Sequence, residues 1–332
     1  MEGIVWGECS WREEIDQSFD GFLTTEILTP SDFDFVEERG HTYSSLGTRE
    51  YMLPCDDSWI LAEELLHRVL HDLVLEKKFL LGSIANFKGR VLDVGTGIGL
   101  WAIDMADDNP RADVIGVDLS PIQPIWVPPN CSFIIDDVEL LSGLAFASSD
   151  YYPNVIHCGN MTMAIYGWTS FISWIKRELQ SGGFVEFQEL LWCPCVEQGG
   201  TIIPDTGPLA GFFLTLAEAF SAVGINVDAP RHLRAELELS GFKDVSQQDF
   251  LVPLGNWPKD PPQKKTGAGF YKFPMQAIEL LSNRVLRRGL NYRPGKAKLW
   301  ARQLKETLRG SRGEMILFKF IVVHGRKSRA IQ

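Results

Sequence analysis

Between Asp56 and Leu80 the stretch "DDSWILAEELLHRVLHDLVLEKKFL" repeats apolar side chains three and four residues apart, which is one face of a helix. The spacing predicts a long helix with Asp56 or Ser58 as its N-cap. The pattern then shortens into apolar runs that alternate with helical stretches: "RVLDV", a helix from Gly99 to Asp107, "ADVIGVDL", "CSFIID", "NVIHC", a helix from Trp168 to Gln180, and "FVEFQEL". Such alternation predicts a mostly parallel sheet covered on both faces. After Leu191, "PLAGFFLTLAEAFSAVG" and "HLRAELELSGF" read as helices, the second stopped by Gly241. A strand near "DVSQQDFLVPL", a Pro-rich break at "GNWPKDPPQKK" and two helical stretches to about Arg309 follow. "EMILFKFIVVHGR" closes the chain as an alternating strand, and a strand arriving this late can join the sheet edge antiparallel.

The first 40 residues keep no period, and they read as an arm ordered only where it docks. They hold 11 acidic side chains against Arg12 and Arg39, whereas 284–332 carry 14 basic residues against Glu306 and Glu314. The basic residues are interleaved with Leu286, Leu290, Leu299, Trp300 and Leu304, as on the outer face of an amphipathic helix. No zinc-finger or RNA-recognition spacing accompanies them, so nucleic acid is not an expected partner. The acidic arm is the candidate docking segment for a protein partner.

The 332 residues, 45% of them hydrophobic, suffice for one large core. No apolar run reaches membrane-spanning length and the start lacks a signal-peptide layout, so a cytoplasmic protein without membrane contact is expected, nuclear if it is regulatory. Six scattered cysteines read as reduced thiols. No His/Asp/Glu cluster is read at ligand spacing, and no metal is expected.

The chemistry concentrates in "LDVGTGIG". Its glycines are Gly95, Gly97 and Gly99, so Leu100 stands where a dinucleotide fingerprint needs its third glycine. A phosphate-binding loop would need Gly-Lys-Ser/Thr, which is also missing. Asp93, inside the strand just ahead, is awkward beside a pyrophosphate and well placed for an ammonium or sulfonium. Asp118 ends the next strand 19 residues past Gly99, where a carboxylate can accept from both hydroxyls of a ribose. Asp136 and Asp137 follow the third strand, where a carboxylate can accept from an adenine amine. Adenine, ribose and a cationic tail without phosphates describe S-adenosylmethionine.

The stretch "VLDVGTGIGLWAIDMADDNPRADVIGVDLSPIQPIWVPPNCSFIIDDVE" resembles the core of a class I methyltransferase, specifically the fungal LaeA-like (UMTA-type) group. "REYMLPCDD", "VIHCGN", "SGGFVEFQE", "SGFKDV" and "GNWPKDP" extend the resemblance from about Tyr43 to the end. It implies an α/β, Rossmann-like fold with a seven-stranded, mostly parallel sheet, helices on both faces, an N-terminal extension and helical lid insertions. The expected organisation is an arm over 1–50 and a methyltransferase domain over 51–332, with a cofactor half (51–191), substrate and lid elements (192–310) and a closing strand (314–325). The expected cofactor residues are Tyr51, Asp93, Gly95, Thr96, Gly97, Gly99, Asp118, Leu119, Asp136, Asp137, Val138, Gly159 and Asn160. One departure is "MAIYGW", where Gly167 stands at a position that is usually Asp, so acceptor identity does not carry over.

Methyl transfer needs a base only when the nucleophile arrives protonated. His157, Glu186 and Glu189 end sheet strands, where side chains meet the ligand crevice; His157 and Glu189 are the candidate bases, with a satisfied core role as the competing reading of His157. Trp101, Trp126 and Trp168 read as core or lid packing, and Tyr43 and Tyr51 as either cofactor cap or entry-loop packing. Phe212, Phe213, Phe220, Phe270, Tyr271 and Phe273 are candidate lining for an apolar small-molecule acceptor. Three functions remain: methylation of a small metabolite, preferably at oxygen; LaeA-like regulation through a protein partner; and a cofactor-binding fold turned to cyclisation or similar chemistry.

Overall fold

A computed structural model describes residues 35–47, 49–82, 87–140, 152–198, 200–310 and 315–329. A hairpin of β1 (Phe35–Glu38) and β2 (His41–Ser44) precedes helix α1 (Asp57–His67). Asp56 caps α1 by accepting from the Ser58 and Trp59 amides, and its other oxygen takes His41 Nδ1 at 2.8 Å. One carboxylate therefore starts the helix and ties the hairpin to it. The predicted helix does not run on to Leu80 as one α-helix: it widens into a π-helix over Arg68–Val74.

The sheet consists of β3 (Gly89–Val94), β4 (Ala112–Asp118), β5 (Cys131–Ile135), β6 (Val155–Gly159), β7 (Phe184–Leu190), β8 (Cys195–Gln198), β9 (Thr201–Pro204), β10 (Lys243–Pro253) and β11 (Ile316–Arg326). Its seven principal strands run in the order β5-β4-β3-β6-β7-β11-β10, parallel from β5 to β7. β11 is antiparallel to both neighbours and lies inside the sheet, not at its edge. The physical reason is its near-continuous apolar run, buried on both faces, whereas β10 alternates exposed polar residues and takes the edge. The hairpin β8-β9 was not apparent from the pattern; β8 prolongs the line of β7 along the start of β11.

Helices cover both faces. Leu92, Val94, Ile156, Phe187 and Ile321 face α3 (Trp168–Glu178) and α5 (Leu233–Leu239). The other face changes cover along its width. Val91, Val114 and Val155 pack under α2 (Leu100–Asp108), while Val252, Phe318, Phe320 and Val322 pack under α1, α4 (Pro208–Ala222), α6 (Pro261–Phe270), α7 (Lys272–Leu290) and α8 (Pro294–Gly310). The Pro-rich break is thus followed by three helices where the pattern suggested two. A cleft opens where the cover changes, beside the switch point at which β3 sends its neighbours in opposite directions.

The end of the acidic arm docks on α7. Arg284, only 3% exposed, donates to Glu38 at 3.1 Å and to the Tyr51 carbonyl at 2.7 Å, and its guanidinium lies 3.9 Å from the Tyr43 ring centroid. Arg287 pairs with Glu38, and Arg288 with both Glu38 and Glu50. Part of the charge asymmetry along the sequence is therefore internal pairing.

Candidate functional site

The chain leaves β3 at Val94 and turns through three glycines into α2. Gly97 has φ +54°, and a Cβ there would meet the Glu63 carboxylate at 2.9 Å. Gly99 has φ +80°, and its Cβ would strike the Phe133 ring at 2.4 Å. Gly95, Thr96 and Gly97 line the cleft, but Gly99 is buried under Phe133 outside it. The expectation that Gly99 touches cofactor is corrected: its task is close approach of helix to strand.

Asp93 and His157 are side-by-side partners on the parallel strands β3 and β6. Both are buried, and His157 Nδ1 lies 2.7 Å from Asp93 Oδ1, while the Thr96 hydroxyl donates to Oδ2 at 2.7 Å. Trp101 stacks on the imidazole, with centroids 3.8 Å apart and planes 3° from parallel. His157 Nε2 is buried without a hydrogen-bond partner among the described residues, and His157 lines the cleft. A carboxylate on Nδ1 fixes the tautomer that leaves Nε2 as acceptor.

Asp118 ends β4 and accepts from the Gly97 amide at 2.8 Å and the Ser120 amide at 2.9 Å. Burial pushes its carboxyl up to about 6, against those two hydrogen bonds. Glu63 on α1 stands over the same turn, near the Ile98 amide: Trp59 Nε1 donates to its Oε1 at 2.8 Å, and Oε2 is buried with no hydrogen bond of ordinary geometry among the described residues. Burial first, and the charge of Asp118 second, push Glu63 up to about 8. Tyr51 lines this part too, its hydroxyl held well above its ordinary range by burial and by Asp118 and Glu63.

Asp136, Asp137, Val138 and Leu119 line the next section. Asp136 accepts from the Asp137 amide at 2.8 Å and Asp137 from the Glu139 amide at 2.9 Å, which fixes the turn after β5. Glu139 reaches across to the Tyr166 and Gly167 amides, at 3.0 and 2.9 Å, and so anchors the "MAIYGW" segment that departs from the family pattern. Gly159 and Asn160 complete this wall, Asn160 in the left-handed conformation with φ +54°.

Several expectations meet a different placement. Glu189 is fully buried and lies outside the lining: it accepts from the Met161 amide at 2.9 Å and from the Thr162 amide and hydroxyl at 3.1 and 2.7 Å. With three donors it clamps the turn after β6, and burial holds its carboxyl up at about 7. That engagement leaves it no access to a nucleophile, so the geometry does not bear out Glu189 as the base. Glu186 likewise binds the Leu81 and Gly82 amides. Trp101 lines the cleft, Trp168 is core, and Trp126 is 82% exposed, so the packing reading fails for Trp126. Of the aromatic candidates only Phe273 reaches the cleft; Phe213, Phe220 and Phe270 are core. Tyr43 is buried under Arg284, away from the cleft. Glu63, Glu139, Gln188 and Trp192 are lining residues that sequence reasoning missed. For Glu63 a signal existed: it sits four residues after Trp59, breaking the apolar stripe Trp59, Ala62, Leu66.

The cleft holds about 1450 Å³ of empty space, counting its open mouth. Among its described lining residues are six carboxylates, Glu63, Asp93, Asp118, Asp136, Asp137 and Glu139, and no lysine or arginine. Such a field repels phosphates and attracts a cation.

A methyltransferase domain model matches residues 63–247. Along almost the whole chain the protein is similar to the methyltransferase pytC of Aspergillus terreus, 28% identical over 95% of this chain and 96% of that one. It is also similar to the secondary metabolism regulator laeA of Monascus pilosus, 31% identical over 76% of this chain and 68% of the other. Among solved structures, phosphoethanolamine N-methyltransferase 2 of Haemonchus contortus aligns with 87% of this chain and 62% of its own, at 14% identity and a TM-score of 0.47. The chain belongs to the methyltransferase domain family, as an enzyme of the S-adenosylmethionine-dependent class. No helix among the described residues is long and apolar enough to cross a membrane.

Proposed function

We propose that the protein methylates an oxygen of a small, largely apolar acceptor, with the cofactor held along the cleft from Asp93 to Val138. The observation that carries this reading is the cleft's charge: among the described residues, six carboxylates without a lysine or arginine, one of them with an unpartnered buried oxygen, suit an adenosyl sulfonium and oppose a dinucleotide. Asp118 and Glu63 sit where they can share the ribose hydroxyls, Asp136 or Asp137 faces the adenine amine, and Asp93 with the Gly95–Gly97 turn meets the amino acid end. When bound, S-adenosylmethionine supplies a methyl carbon activated by its sulfonium.

His157 is the base of this proposal. Asp93 holds Nδ1–H, Trp101 fixes the ring plane, and Nε2 would take the proton of an acceptor hydroxyl presented to it. Leu53, Met163, Trp192 and Phe273 form an apolar side of the cleft for the acceptor. Glu189 acts indirectly, by holding the turn at Met161 in place.

Calorimetric titration with S-adenosylmethionine and S-adenosylhomocysteine, with NAD as comparison, tests the cofactor assignment. Micromolar binding of the first two alone is expected; NAD binding equally well would overturn it. His157→Gln should then lower kcat while leaving cofactor affinity within a few fold. The likeness to laeA favours a second reading, regulation through a protein partner. In the described part of the arm Glu38 and Glu50 pair with α7, so the surface proposed for a partner is 1–34, outside the described residues. A stable partner lost on deleting 1–40, without turnover of any acceptor, would favour that reading.

A further inference from the structure

The π-helix after α1 and the outer face of α2 bring together His67, His71 and Asp104, one ligand atom from each lying within 4.8 Å of the other two. We propose that these three side chains form a binding site for a zinc-class divalent metal ion at the rim of the cleft. The donor set is two imidazoles and one carboxylate, which in metalloenzymes leaves coordination positions open for water or substrate.

The geometry is close to what such an ion requires. His67 Nε2 and Asp104 Oδ2 are 3.4 Å apart, near the edge of a tetrahedron whose metal–ligand bonds are about 2.1 Å. His71 is only 6% exposed; its Nδ1 lies 3.1 Å from Asp72 Oδ1, and its Nε2 is buried without a partner among the described residues. A carboxylate on one imidazole nitrogen with the other left bare is the outer-shell arrangement that orients a ligating histidine.

Among the described residues the competing cation is Arg68, whose Nη1 lies 3.3 Å from Asp104 Oδ2. Its side chain is 45% exposed, so it can yield the oxygen and stay solvated. The π-helix sets the pair apart from an ordinary i,i+4 couple: the rings stack at 5.2 Å with planes 19° apart, both on the cleft wall. His71 continues into Phe79 and Trp101, and Trp101 into His157, so the site joins the base by one aromatic row. An ion here would offer its open positions to an oxygen of whatever occupies the cleft.

The test uses the full chain stripped with chelator and titrated with Co(II), without any cofactor, so that it fails or succeeds independently of the methyl-transfer reading. One equivalent is expected to bind, with visible d–d absorption of a four- or five-coordinate ion, displaced by Zn(II). Asp104→Asn and His67→Gln, both at partly exposed positions, should each lose the absorption and at least tenfold in affinity. Asp72→Asn should cost about 10- to 100-fold, and Arg68→Ala should tighten binding. Thermal melts select the variants that remain folded. No stoichiometric uptake by the wild type at millimolar Co(II), or equal affinity in folded Asp104→Asn and His67→Gln, would overturn the proposal.

Discussion

Two regions of this molecule gather charge, and they treat it in opposite ways. On α7, Arg284, Arg287 and Arg288 meet Glu38 and Glu50, and the buried cations end in ion pairs. In the cleft, six carboxylates meet no lysine or arginine among the described residues, and Glu63 keeps an oxygen without a hydrogen bond from any of them. Charge balanced within the chain serves the fold. Carboxyl groups left without a cation, two of them, Glu63 and Asp118, held up in pKa by burial, mark where something else completes the set.

The comparison can be broken most severely at Gly97. Gly97→Val puts a branched side chain at φ +54° against Glu63, and it should abolish cofactor binding by calorimetry while circular dichroism stays native. Retained binding would detach the turn from the cofactor. Next in size, Arg284→Ala should lower unfolding free energy by about 1.5–3 kcal/mol, because a buried side chain loses its charged hydrogen bond to Glu38 and leaves the Tyr51 carbonyl without its donor. Chemical denaturation measures it, and a loss below 1 kcal/mol would make the α7 cluster ordinary surface pairing.

Asp118→Ala sharpens the other side. It should weaken cofactor binding by about 1–3 kcal/mol and cost little stability. An unchanged dissociation constant would remove the ribose assignment. A slope with pH is the last test. Glu63 is raised from the ordinary 4.5 to about 8, so its folded form keeps a proton the unfolded chain has released. The stability this contributes is full below about pH 4.5 and is lost as pH rises through about 8. Melting temperature of the ligand-free protein should therefore fall across that window, and Glu63→Gln should flatten the fall; an identical slope in the variant would assign it elsewhere.

Much of this was legible in the sequence, for reasons that particular residues make plain. Strand runs such as "RVLDV" and the glycine turn are local, and Asp93 and Asp118 lie at fixed distances from that turn, so their convergence follows from the parallel sheet. Glu63 was hidden because its role depends on α1 crossing a turn more than thirty residues downstream. Glu189 was misjudged since strand position tells where a side chain points but not which donors already occupy it. The interior place of β11 was recorded in its near-continuous apolar run, broken at Lys319, and the expectation of an edge strand passed over that signal.

The Tyr51 carbonyl takes a hydrogen bond from Arg284, while the same residue's side chain lines the cleft. Arm docking and cleft occupancy therefore share one hinge residue, and thermodynamic reciprocity follows: a ligand that favours ordered Tyr51 strengthens the arm's hold on α7 by the same factor that the docked arm strengthens the ligand.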